Sequence, residues 1–147
     1  MPYVERSKTV AVDPQTLYEM AKRPEEFPKY MPDVKSIEVI ERGDGYSVTI
    51  WNVEVAGRRF RWTERDEYDD ANRIIRYRQV EGDLKRFEGE WRFDARPDGT
   101  EITLTVDIDV GMPGLAPLIN PVLQKALQSN TDRMLEGIVR QAAAQTP

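Results

Sequence analysis

The strongest constraint in this sequence is a change of period. From Val34 to Val110 the chain reads as six consecutive segments of period two, each closed by a turn. After Gly111-Met112-Pro113-Gly114 the period becomes helical and stays so. The clearest strand is Thr100 to Val110, where Ile102, Leu104, Val106, Ile108 and Val110 alternate with Thr and Asp. The others are Val34–Glu41, Tyr46–Val55, Arg58–Tyr68, Arg73–Val80 and Leu84–Ala95. Their turns fall at Arg42-Gly43-Asp44-Gly45, Ala56-Gly57, Asp69 to Asn72, Glu81-Gly82-Asp83 and Arg96 to Gly99. Strands joined this closely form an antiparallel meander. A sheet with one apolar face needs a cover, and the segment from about Pro117 to Ala144 can supply it. Its apolar stripe is Ile119, Val122, Leu123, Ala126, Leu127, Met134, Ile138 and Val139.

Ahead of the meander, Tyr3 to Val12 reads as a further strand. Asp13-Pro14 then opens a helix, with Asp as N-cap and Pro at the first helical position. Leu17, Tyr18 and Ala21 form its apolar face, and Arg23-Pro24 ends it. A second short helix, Glu25 to Tyr30, carries Phe27, Tyr30 and Met31, with Pro28 and Pro32 keeping it short. The expected fold class is α+β. A curved seven-stranded antiparallel sheet wraps around a long C-terminal helix, with two short helices between strands 1 and 2, in a single domain over 1–147. Ala142 to Pro147 read as frayed.

Composition removes whole classes of chemistry. The chain contains no cysteine and no histidine. Thiolate nucleophiles, imidazole bases and the Ser-His-Asp triad are therefore excluded, and a metal would have oxygen ligands only. No metal site is expected. The glycines form neither a dinucleotide nor a P-loop motif, and no cofactor is expected. A net charge of −5 argues against general DNA binding. No run approaches ~18 apolar residues, and Met1 to Arg6 has no apolar leader core, so the expectation is a soluble cytoplasmic protein. Oligomeric state is open.

Parity from the last strand suggests which side chains face inward elsewhere. The Arg58–Tyr68 strand points Phe60, Trp62, Glu64 and Asp66 inward, the next Ile75, Tyr77 and Gln79, and the next Phe87, Gly89, Trp91 and Phe93. A one-residue bulge would exchange the faces. Trp62 and Trp91 read either as walls of a cavity or as plain core. Glu64 and Asp66 read either as carboxyls entering a low-dielectric cavity, with raised pKa values and acid/base capacity, or as solvated groups at a strand end. Tyr77 and Gln79 can orient a ligand's polar group, or the Tyr hydroxyl can meet a backbone carbonyl. Asn52, on the face of Tyr46, Val48 and Ile50, has the same two readings. Asn130 interrupts the helix stripe, reaching into the cavity or across to the sheet. Seven outward arginines (Arg59, Arg61, Arg65, Arg76, Arg78, Arg86 and Arg92) read either as a phosphate- or RNA-binding face or as cross-strand ladders with Glu67, Glu88 and Glu90.

Four stretches carry a family resemblance: Phe27-Pro28-Lys29-Tyr30-Met31-Pro32-Asp33-Val34, Val80 through Trp91, Gly99-Thr100 and Gly111-Met112-Pro113. With the element order, they resemble the START/Bet v 1-like helix-grip superfamily from about Tyr3 to Arg140. Within it the chain looks most like the polyketide cyclase/dehydrase and coenzyme Q-binding protein group. The resemblance implies an apolar cavity between sheet and terminal helix that takes lipids, isoprenoid quinones or polyketides. The aromatase/cyclase branch is similar around Trp62, yet its cavity Arg falls on Asp66 of this chain and a cavity Tyr falls near Val34.

The first expectation is therefore a binder of a hydrophobic small molecule. Its contact area comes from Tyr30, Met31, Phe60, Trp62, Tyr77, Phe87, Trp91, Leu104 and Val106, and its polar anchors are Asn52, Glu64, Gln79 and Asn130. The second is a polyketide cyclase/dehydratase using Glu64, Asp66 and Tyr77. The third is a ribosome- or RNA-associated, toxin-like protein using the outer arginines.

Overall fold

A computed structural model describes residues 3–55, 57–111 and 116–145, with the backbone alone for 116–120. The expected Met112-Pro113-Gly114 break, Ala56, the Ile119 side chain and Thr146-Pro147 lie outside the described residues.

Seven strands form one antiparallel sheet: β1 (Tyr3–Val10), β2 (Val34–Gly43), β3 (Tyr46–Val55), β4 (Arg58–Asp69), β5 (Ile74–Gly82), β6 (Arg86–Arg96) and β7 (Gly99–Asp109). The spatial order is β1-β7-β6-β5-β4-β3-β2. The meander keeps chain order, and β1 returns to pair with β7 along Tyr3↔Asp107 to Val10↔Thr100. Three register irregularities bend the sheet, two between β2 and β3 and one between β4 and β5. In the last, Thr63↔Glu81 is followed by Glu64↔Gln79, which leaves Val80 without a partner and its side chain outside.

The helix α1 (Pro14–Ala21) starts as its sequence requires. The Asp13 carboxylate accepts from the Thr16 amide at 3.0 Å and the Thr16 hydroxyl at 2.6 Å, and Pro14 stands at the first turn. The second short helix is a 3-10 helix, Pro24–Lys29, two prolines of which disfavour a longer α-helix. The terminal helix α2 (Ala116–Gln145) lies along β1 and over the concave face.

Its buried line is Leu127, Asn130, Thr131, Leu135, Ile138 and Ala142. Leu135 belongs to this line though the expected stripe omitted it, and Val122 is 68% exposed although the stripe included it. Ala142 is fully buried and helical to Gln145, so the expected fraying there does not occur. Asp33, just before β2, pins α2 down: its Oδ2 accepts from Asn130 Nδ2 at 3.0 Å and Arg133 Nε at 2.7 Å.

An aromatic line runs through the core. Trp51 and Trp62, paired across β3 and β4, stack at 5.7 Å. Phe27 on the 3-10 helix inserts between Trp51 and Trp91 at 5.9 Å from each. Trp91 stacks on Phe93, which meets Tyr18 of α1 edge-on at 6.0 Å. Such pairs add about 0.5–1.5 kcal/mol each beyond the area they bury.

Candidate ligand-binding site

An apolar space of about 40 Å³ lies between the concave sheet and α2. β3 lines it with Trp51 and Val53, β4 with Trp62 and Glu64, and β5 with Tyr77. β6 contributes Phe87 and Trp91, β7 Leu104 and Val106, and α2 Leu127, Asn130 and Met134. A second space of about 30 Å³ adjoins it on the side of Phe60, Leu84, Ile108 and Leu123. Both spaces are walled by Val53, Trp62, Phe87, Leu127 and Asn130. The Phe87 ring sits 4.7 Å from Trp62 and 5.4 Å from Tyr77.

The one carboxyl among the residues that line this apolar space is that of Glu64. Glu64 and Asp66 are 3% and 4% exposed, because strict alternation carries both to the covered face of β4. The Trp62 indole N–H donates to Glu64 Oε1 at 2.9 Å. Burial, then the neighbouring Asp66, push the Glu64 carboxyl well above the usual carboxylate range, and Glu64 donates a hydrogen bond to Asp66. Burial raises Asp66 as well, against the lowering effect of that hydrogen bond. Asp66 Oδ1 is buried and accepts no hydrogen bond among the described residues. The pair is therefore a proton-sharing dyad in a low-dielectric wall.

The polar groups around the dyad are engaged. Ser47 Oγ lies 2.6 Å from the Tyr68 hydroxyl. The Trp51 indole donates to Thr49 Oγ1 at 2.8 Å, and the Tyr77 hydroxyl donates to the Thr105 carbonyl at 2.6 Å. Burial raises Tyr68 to about 12 and pushes Tyr77 well above its ordinary value of 10.0, so both phenols stay neutral at ordinary pH.

Eight expected residues thus meet at one wall: Trp62, Glu64, Tyr77, Phe87, Trp91, Leu104, Val106 and Asn130. Phe60 lines the adjoining space, and Asp66 stands beside Glu64, off the lining. Four others are placed elsewhere. Asn52 faces outward and donates to Ser36 Oγ at 2.9 Å. The inner face of β3 is the other parity, Ser47, Thr49, Trp51, Val53 and Val55, all buried. Gln79 closes the β5–β6 connection, donating to the Leu84 carbonyl at 2.6 Å. Tyr30 borders a shallow surface hollow with Met20, Arg23 and Gln141. Met31 is fully buried and packs toward Gly137 of α2, outside the cavity lining.

The sequence reading missed Trp51, Val53, Leu127 and Met134. A signal for the first two was present: Trp51 shares parity with Val53 and Val55. Ser47 and Thr49 obscured it, because their hydroxyls find partners inside and so tolerate burial.

Outside, four of the seven arginines are ion-paired among the described residues, Arg76 and Arg86 across strands and Arg65, Arg86 and Arg92 along their own strand. Arg65 pairs with Glu67 at 3.6 Å, Arg76 with Glu90 at 3.9 Å and Arg92 with Glu90 at 3.0 Å. Arg86 reaches Glu88 at 3.5 Å and Asp107 at 2.9 Å. Arg59, Arg61 and Arg78 have no ion pair among the described residues. No helix among the described residues is long and apolar enough to cross a membrane.

Residues 10–135 match the family model described as polyketide cyclase / dehydrase and lipid transport. The bifunctional cyclase/dehydratase of the actinorhodin polyketide synthase of Streptomyces coelicolor is 30% identical over 138 residues. That match covers 89% of this chain and 41% of the relative, so the chain spans less than half of that protein's length. The crystal structure of TTHA0849 from Thermus thermophilus superposes with a TM-score of 0.93 at 30% identity, covering 99% of this chain and 100% of that one. The Zhui aromatase/cyclase from Streptomyces sp. R1128 gives 0.88 at 25% identity, covering 97% and 94%. With a seven-stranded sheet gripping one long helix, and with this match over most of its length, the chain belongs to the polyketide cyclase / dehydrase and lipid transport family of the START/Bet v 1-like fold.

Proposed function

We propose that this chain binds an apolar small molecule, a lipid, quinone or polyketide-like compound, between the concave sheet and α2. The observation that carries the reading is the wall itself. Three indoles and Phe87 surround a space with a single carboxyl, and that carboxyl is held neutral by burial and by Asp66. Small-molecule sites have this character, mostly apolar with few placed polar groups. The space of about 40 Å³ holds only about two or three water-sized groups. A larger ligand therefore requires side chains to move, and Phe87 is one of the five that wall both spaces.

All three tryptophans of the chain line this cavity, so tryptophan emission reports on it alone. The test is titration with oleic acid, decylubiquinone and 1,8-dihydroxyanthraquinone. It is paired with mass spectrometry of an organic extract of protein purified from its own host. A saturable one-to-one change, or a stoichiometric extracted lipid or quinone, supports the reading. Failure of every compound together with an empty extract overturns it.

The dyad favours a second reading, a cyclase/dehydratase in which Glu64 and Asp66 move a proton to or from the ligand. A Glu64→Gln variant that folds and binds ligand but loses turnover supports it, and undiminished turnover removes Glu64 from that role.

A further inference from the structure

We propose that the Glu64 end of the cavity is a subsite for a protonated amine carried on an apolar ligand. The proposal rests on the small-molecule reading above and names the head group that this wall selects.

The hydrogen-bond inventory comes first. The indole N–H groups of Trp62 and Trp51 are spent on Glu64 and Thr49, and the Tyr77 hydroxyl on the Thr105 carbonyl. Glu64 gives its own proton to Asp66. Asn130, on α2, spends one amide N–H on Asp33. At the Glu64 end, what remains unfilled is accepting capacity: the free lone pairs of Glu64 at the lining and the Oδ1 of Asp66 behind it, which has no partner among the described residues. A ligand N–H satisfies such a wall, whereas a quinone or ketone oxygen finds the two indole donors and the Tyr77 hydroxyl already committed.

Charge comes second. With one proton between two carboxyls, the dyad carries one negative charge. No lysine or arginine lines the cavity, and neither carboxyl has an ion pair among the described residues. A buried charge without a partner is costly, and an entering cation relieves that cost. When a cation enters, the shared proton passes from Glu64 to Asp66, which leaves Glu64 ionised toward the cavity, and no proton has to enter or leave the pair.

Shape comes third. Trp51, Trp62 and Trp91 present π-systems to the same space, which attract a cation. The volume of about 40 Å³ admits an ammonium or methylammonium group as it stands. The ionisable neighbours of the dyad are Tyr68 on β4 and Tyr77 on β5, both neutral. From β3 come Ser47 and Thr49, and from α2 Asn130 and Met134, none of which titrates.

The experiment compares 2-phenylethylamine, 2-phenylethanol and ethylbenzene by tryptophan emission at about pH 7. The expected result is affinity for the amine at least about tenfold above either neutral compound, from one charge-assisted hydrogen bond and cation–π attraction. In Asp66→Asn the preference should fall to within about twofold. Should that variant fail to fold, the wild-type chain gives the same readout. As pH falls the dyad takes its second proton, so amine affinity falls while ethylbenzene affinity holds. Equal or weaker binding of the amine, or amine affinity that ignores pH, overturns the proposal. If the neutral compounds bind and the amine does not, the small-molecule reading stands without it. If none of the three binds, the proposal falls, and the small-molecule reading falls with it only when the lipid, quinone and extract tests fail too.

Discussion

The Tyr77 hydroxyl reaches the Thr105 carbonyl at 2.6 Å, from β5 to β7 across Gly89 on the strand between. A Cβ at position 89 would collide with both that carbonyl and the phenol oxygen. The Glu90 amide, next along β6, donates instead to the Thr105 hydroxyl at 3.0 Å. A side chain and a glycine thus complete the hydrogen bonding of the sheet beneath the cavity.

Tyr77→Phe should cost about 1–2 kcal/mol, because the buried Thr105 carbonyl loses its donor. Gly89→Ala should cost about as much or more, since the strand must shift to admit the methyl group. Urea denaturation midpoints measure both. An unchanged Tyr77→Phe midpoint would show that the carbonyl finds another donor.

Stability should depend on pH through the dyad. Glu64 and Asp66 are raised from ordinary values of 4.5 and 3.8, so the folded chain binds their protons more tightly than the unfolded chain. Their contribution is fully present below those ordinary values and is lost as pH rises through the raised ones. Relative to wild type, a Glu64→Gln/Asp66→Asn double variant should therefore gain melting temperature steadily from about pH 5 to about pH 8. A constant difference would place no titration in the dyad over that range.

Asp13→Ala should destabilise the fold by about 1 kcal/mol, the usual cost of a lost N-cap. Its carboxyl is held low by the Thr16 hydroxyl and amide, so the capping contribution is present above 3.8 and is lost as pH falls further. The penalty should shrink in acid, in thermal melts of wild type and variant compared at matched pH.

Phe87→Ala should enlarge and join the spaces of about 40 and 30 Å³, both of which this ring helps to wall. The loss of a large side chain from a packed site costs about 3 kcal/mol. Affinity for oleic acid, measured by tryptophan emission, should rise, because less side chain has to be displaced.

Much of the fold could be read from local pattern. The Asp13-Pro14 start, the six period-two segments and the terminal helix all follow from capping chemistry and hydrophobic period, which are properties of neighbouring residues. Alternation put Glu64 and Asp66 on the Trp62 face but left open whether they were buried or solvated, and the structure buries both. The faces failed where the pattern is two-sided. On β3, Tyr46, Val48 and Ile50 look as apolar as Trp51, Val53 and Val55, and Asn52 was assigned with the former. In the structure Tyr46 lies under the Arg65 guanidinium at 4.0 Å, an outward use of an aromatic ring that no parity rule reveals.

The sequence alone determined the class of fold, the absence of thiol and imidazole chemistry, and the pairing of two carboxyls on one strand face. Those follow from composition and from periods of two and 3.6 residues. Tertiary structure decided which polar groups remain free at the cavity and how much space is left there. Tyr77 found its carbonyl two strands away, Gln79 its partner in a turn, and Asn130 its partner at Asp33. Hydrogen-bond partners and cavity volume depend on atoms brought together from distant parts of the chain, and no local pattern encodes them.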